Sequence, residues 1–166
     1  MRTLTDQAVI LLALCALSGG ASADEAPGKF NAAGQVIARA GTLAPYPGPA
    51  ANFTGQVRVD PLTQANGTIS AAAAFVTFAP GARSAWHTHP AGQYLIVTTG
   101  KGLTQQWGKP IQELRVGDVA WCPPNVKHWH GAAPDSAMTH IAMTGNAGGK
   151  SVNWMEKVSD ANYAQR

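Results

Sequence analysis

Cysteine is almost missing from this chain of 166 residues, which carries only two. Cys15 falls in a segment with the marks of a cleaved leader, so Cys122 stands alone in the remainder. One thiol excludes an internal disulfide, and stability has to come from an apolar core and from subunit pairing. Flanked by Trp121 and Pro123, Cys122 reads as a buried thiol rather than a catalytic thiolate. Charge is scarce too: 13% of residues are charged and the formal net charge is +3. Lys and Arg are dispersed without a run, which excludes the electrostatic footprint of a nucleic-acid partner. The apolar stretch Ala8–Leu17 is too short for a bilayer, which takes ~20 residues. Histidine is absent from both ends, and all five copies fall at positions 87, 89, 128, 130 and 140.

What is present organises the rest. Arg2, the apolar stretch Ala8–Leu17 and the small residues Ala21-Ser22-Ala23 have the order of a signal peptide over 1–23. The expected mature chain starts near Asp24, is periplasmic or secreted, and has no membrane contact after cleavage. Residues 24–51 are rich in Ala, Gly and Pro and read as a flexible lead-in. Residues 52–166 read as one domain. Its 18 Gly and 11 Pro over the whole chain suit the many turns of an all-β fold. Strand signals recur at Gln56–Val59, Ile69–Phe78, Ser84–His89, Gln93–Thr98, Leu103–Trp107, Ile111–Leu114, Asp118–Cys122, His128–His130 and Ala137–Met143. Turns are expected at Gly100-Lys101-Gly102 and Gly108-Lys109-Pro110. The block Ala71–Ala74 has helical propensity, but its β-branched and aromatic flanks favour a strand whose small side chains leave interior space. The tail from Val152 to Val158 reads as a last strand or a helical turn. Such spacing suggests a sandwich or small barrel.

The stretch Gly81–Gly100 holds the chemistry. His87 and His89 are two apart in a strand, so period-2 geometry sets both imidazoles on one face. Pro90-Ala91-Gly92 breaks the strand, and Gln93 returns on the next. Two imidazoles and an amide oxygen suit a divalent metal, and His128 offers a fourth donor. His130, two residues on, is expected to point to the same interior. His140 alternates with Ala142 and Thr144, and is expected to overlook a pocket there with a pKa near neutrality, fit for a general base. Arg83 and Lys127 read as solvated rim charges, Trp86, Trp121 and Trp129 as wall and core, and Asp118 as a turn residue.

These residues resemble the two motifs of the cupin superfamily. The first is carried by Gly81, His87, His89, Gln93 and Gly100, with Gln93 where most members have Glu. The second is carried by Gly117, Pro123, Asn125 and His128, with Asn125 where glycine is usual. Asn tolerates the positive φ that the centre of a type II turn requires. From Phe53 to about Tyr163 the chain is similar to the bacterial cupin hydroxynitrile lyases, through Phe53–Leu62, Pro80–Pro90, Lys127–Ala132, Met138–His140 and Asn153–Glu156. The resemblance implies a small cupin barrel (double-stranded β-helix or jelly roll) and a manganese-dependent enzyme that cleaves or forms cyanohydrins. Its implied metal ligands are His87, His89, Gln93 and His128, with His130 and His140 behind them. Ser84, Ala74, Val76 and Thr144 fall at pocket positions. Ser84 stands where that group has threonine, and Thr144 where it has a pocket glutamine. By analogy, the protein is a homodimer or higher homo-oligomer.

Three neutral imidazoles and a neutral amide leave the charge of Mn²⁺, or of Fe²⁺ or Zn²⁺, uncompensated, which favours Lewis-acid chemistry. The expected reaction has His140 taking the hydroxyl proton and His130 assisting the leaving group. Two other functions fit the same ligands. One is an iron-dependent cupin dioxygenase of the quercetinase-like type, and the other is an exported cupin that binds a small molecule without turnover.

Overall fold

The computed structural model describes residues 34–165. The expected signal peptide, Cys15 and the start of the lead-in lie outside them. Among the described residues no helix is long and apolar enough to cross a membrane. All but one element is a strand: β1 (Tyr46–Pro47), β2 (Phe53–Thr54), β3 (Val57–Thr63), β4 (Ala71–Phe78), β5 (Arg83–Ser84), β6 (His87–Thr88), β7 (Gln93–Gln106), β8 (Gln112–Arg115), β9 (Val119–Cys122), β10 (His128–Ala132), β11 (Met138–Gly145) and β12 (Asn153–Trp154). A single turn of helix, α1 (Asp160–Tyr163), closes the chain.

Every pairing is antiparallel, and the sheet curls into two leaves. One leaf runs β1-β3-β4-β11-β7-β9. The other joins β8, β7, β10, β5 and β2, with β6 on β10 and β12 on β6. Strand β7 serves both, its first half pairing with β9 and β11 and its second with β8 and β10. The turn expected at Gly100-Lys101-Gly102 is therefore a corner inside one continuous strand. Gly100 has φ 74°, and a Cβ there would lie 1.8 Å from the Ala137 carbonyl oxygen. Only glycine lets the strand bend so close to its neighbour, which is why the sequence looks like punctuation there.

The strand expected over Ser84–His89 is split for a related reason. The Ala85 N–H donates to the Asn52 carbonyl, and Trp86 exchanges backbone hydrogen bonds with Glu156 and Met155. The tail thus takes up the bonds that would otherwise continue the ladder. It resolves into β12, paired with β6, and then α1. Strand β1, inside the expected lead-in, pairs with β3 at the sheet edge. The alanine block is strand, as its flanks indicate.

The main core fills the space between the leaves. Phe78, Leu95, Val97 and Met138 are all but inaccessible there, each stabilising the fold by roughly 1.5–3 kcal/mol. A second cluster of Trp86, Leu103, Trp129, Val158 and Tyr163 lies under the C-terminal segment. Arg83 belongs with it: contrary to the expectation of a rim charge, it is buried. Its guanidinium donates to the Val158 carbonyl at 3.0 Å and to Asp160 at 2.5 Å, and lies 4.6 Å from the Tyr163 ring centre. Lys127 is likewise not free, since it pairs with Glu156 and caps the Trp107 ring at 3.5 Å. Trp86 and Trp129 are core, whereas Trp121 is half-exposed and packs on Tyr94 on the outer face. Asp118 accepts from the Arg115 N–H, as a turn residue should.

Cys122 is buried in the main core, and burial pushes its thiol up to about 12. Native protein at pH 8 is expected to resist iodoacetamide, while the denatured chain reacts fully. Rapid alkylation of the native form would contradict this burial.

Candidate metal centre

The cross-strand pair His87–His128 of β6 and β10 is the floor of the site. Strand alternation puts His130 on the same side of β10 as His128 and turns Trp129 into the second core. His89 follows β6 in the turn that leads to Gln93, the first residue of β7. Asn125 has φ 62°, and Val126 N–H closes its turn on Pro123. The Asn125 N–H donates to the His89 carbonyl, so this turn also braces the histidine strand.

The ring centroids of His87 and His128 are 4.3 Å apart, those of His87 and His89 4.9 Å, and those of His89 and His128 5.4 Å. Imidazoles that share one ion through nitrogens ~2.1 Å away would place neighbouring centroids roughly 4.5–5.5 Å apart. In each of the three rings Nδ1 donates to a backbone carbonyl: His87 to Ala85 at 2.9 Å, His89 to Ser151 at 2.6 Å, His128 to Val126 at 2.9 Å. A carbonyl can only accept, so the proton is on Nδ1 and the lone pair is on Nε2. The Nε2 atoms of His89 and His128 and Oε1 of Gln93 are buried and have no hydrogen-bond partner. Buried acceptors are seldom left so unless an ion or water meets them.

By nitrogen separation alone, the tightest trio is His87, His128 and His130, with one ring nitrogen of each within 4.8 Å of the others. The second ring nitrogen separates His130 from the rest. Its Nδ1 is 3.1 Å from Nε2 of His140 rather than on a carbonyl. His89, outside that trio, has the carbonyl lock and the orphaned Nε2. His89 and His130 thus both offer a donor beside His87 and His128. A histidine cluster of this kind can hold a divalent cation.

Beside the cluster is a cavity of about 390 Å³. It is lined by His87, His89, Gln93 and His130 together with Phe53, Val76, Ala74 and Trp154. Thr144 is on the wall, as expected, but Ser84 is not: it is buried, and its Oγ accepts the His130 N–H at 3.2 Å. His140 does not reach the cavity either. It is fully buried behind His130, both rings packed on Phe78. Burial also pulls its pKa down to about 4, against the expectation of a near-neutral base. Trp154, 4.9 Å from His87, and the Ser151 carbonyl come from the tail and carry no sequence signal of their role.

Burial lowers the pKa of all five histidines, and His128, like His140, falls to about 4. The unfolded chain therefore binds more protons between about pH 6.5 and about pH 4, and stability falls as pH drops through that window. For His128 and His140 the loss is up to roughly 3 kcal/mol each. Metal-free protein should show a falling Tm from pH 7 to pH 4, and a flat profile would contradict neutral buried rings.

Residues 74–143 match the family model of the cupin domain. A curated relative, the (R)-mandelonitrile lyase of Granulicella tundricola, is 55% identical over 127 residues, which are 76% of this chain and 97% of the relative. The chain belongs to the cupin family. A cupin-like protein from Thermotoga maritima shares this cupin's fold with a TM-score of 0.68 and 46% identity, over 70% of this chain and 89% of that one. A predicted oxalate decarboxylase from the same organism has a TM-score of 0.58 at 16% identity, covering 72% and 100%, a likeness of fold alone.

Proposed function

We propose that this cupin is a metal-dependent carbon–carbon lyase that cleaves or forms cyanohydrins, with aromatic ones suited to the Phe53 and Trp154 walls. The observation that carries the reading is a buried histidine cluster beside an apolar cavity that His87, His89, Gln93 and His130 help to line. The relative named (R)-mandelonitrile lyase supports it. His87, His89 and His128 would hold the cation through Nε2 and Gln93 through Oε1, and Mn²⁺ suits this mixed nitrogen and oxygen set. Such a cation, bound by uncharged donors, supplies Lewis acidity towards an alkoxide oxygen.

The chain's own residues do the rest. The apolar walls hold the organic group and exclude water. Burial lowers the pKa of both rings, so position separates them: His130 lines the cavity and His140 does not, and with His130 Nδ1 engaged by His140, its Nε2 takes the hydroxyl proton. The C–C bond breaks, the carbonyl forms, and the electron pair leaves with cyanide. Cyanide then takes the proton from His130 and departs as hydrogen cyanide. His140 shares the charge that His130 acquires in between. The proton acceptor is thus His130, with His140 behind it, the reverse of the order expected from sequence.

The test is an assay of Mn²⁺-loaded and Fe²⁺-loaded protein for cyanide release from mandelonitrile and for oxygen uptake. Metal-dependent cyanide release supports the reading. Oxygen uptake without it would favour a dioxygenase, and binding without turnover a carrier.

A further inference from the structure

We propose that Thr144 is a positioning residue that holds the Gln93 amide by one end and so aims its other end at the histidines. The inference rests on Gln93 being a ligand, and it concerns how that ligand is aimed. A threonine hydroxyl can pair with either end of an amide, so the contact fixes where the group sits rather than which end is which. A cation there would select the oxygen, because an amide N–H₂ cannot ligate it. Thr144 Oγ1 accepts from Gln93 Nε2 at 2.9 Å, which leaves Oε1 buried and unpartnered on the other side.

The backbone makes this contact rigid. Thr144 and Gln93 are direct partners across β11 and β7. One residue further, Gly145 N–H donates to the Gly92 carbonyl at 3.0 Å. A Cβ on Gly145 would lie 2.8 Å from Ala91, and a Cβ on Gly92 2.3 Å from the Trp121 ring. Both glycines let this corner close tightly, so Thr144 cannot drift from the amide. The short hydroxyl also leaves the cavity open, since Thr144 lines its wall as well.

Titration of metal-free protein with Mn²⁺, followed by calorimetry and by electron paramagnetic resonance, tests the proposal. Thr144→Val keeps the shape and removes the acceptor. It should weaken Mn²⁺ binding about 10–100-fold and change the resonance of the bound ion. Thr144→Ser restores an acceptor and should bind within about threefold of the native chain. Tm of the metal-free forms is measured alongside. A Thr144→Val protein that binds Mn²⁺ as the native chain does would overturn the proposal, as would a loss of affinity that Ser does not restore. Failure of the native chain to bind Mn²⁺ would instead overturn the ligand assignment. Should Thr144→Val not fold, Thr144→Ala is read against Thr144→Ser in the same titration.

Discussion

His89→Ala protein is expected to lose its divalent cation, with an affinity lower by about three orders of magnitude, or roughly 4 kcal/mol. The ring it lacks is the one whose Nδ1 is held by the Ser151 carbonyl and whose Nε2 is buried without a partner. Without it, two imidazoles and an amide remain, and the carbonyl that fixed the ring faces a void. Metal analysis of the purified variant reads the effect directly. The comparison that gives it force is a His130 variant, which should keep its metal. A His89→Ala chain that retains the cation, beside a His130 variant that loses it, would move the site to His87, His128 and His130.

His130→Gln should fall in turnover by about 10²–10⁴-fold with metal content unchanged. It keeps a polar side chain of similar reach but has no nitrogen basic enough to take the hydroxyl proton. His140→Gln should fall less, because His140 acts through its contact with His130 and does not reach the cavity. Cyanide release measured at fixed Mn²⁺ occupancy separates the two. Equal turnover in His130→Gln and the native chain would remove His130 as the acceptor. A larger loss in His140→Gln than in His130→Gln would return the leading role to His140.

Part of the site was legible, where local geometry settles it. His87 lies in β6 and pairs with His128, but His89 falls beyond β6 in the turn that leads to Gln93, so the strand face expected to carry both histidines ends at Thr88. His128 came through its own turn, in which Asn125 takes positive φ as its residue type permits. The relation of His130 to His140 was not legible. Both alternate inward, but which of them fronts the cavity depends on how β10 and β11 sit around Phe78, a packing fact with no periodicity. The depressed pKa of His140 follows from that same depth of burial. Ser84 went astray for a similar reason, its hydroxyl being taken up by the His130 backbone rather than turned to the cavity. Arg83 misled because a lone arginine among small residues looks solvated, and its partners Val158 and Asp160 are more than seventy residues away. Gly100 and Gly102 read as a turn because a corner in a long strand uses the residue type that a hairpin uses.

The central claim is that one cation is caged by uncharged donors from His87, His89, Gln93 and His128. Diffraction from Mn²⁺-soaked crystals at the manganese absorption edge tests it most directly. The account predicts a single anomalous peak about 2.0–2.3 Å from Nε2 of the three histidines and from Oε1 of Gln93. A peak bonded to His130 in place of His89, or no peak among these residues, would contradict it.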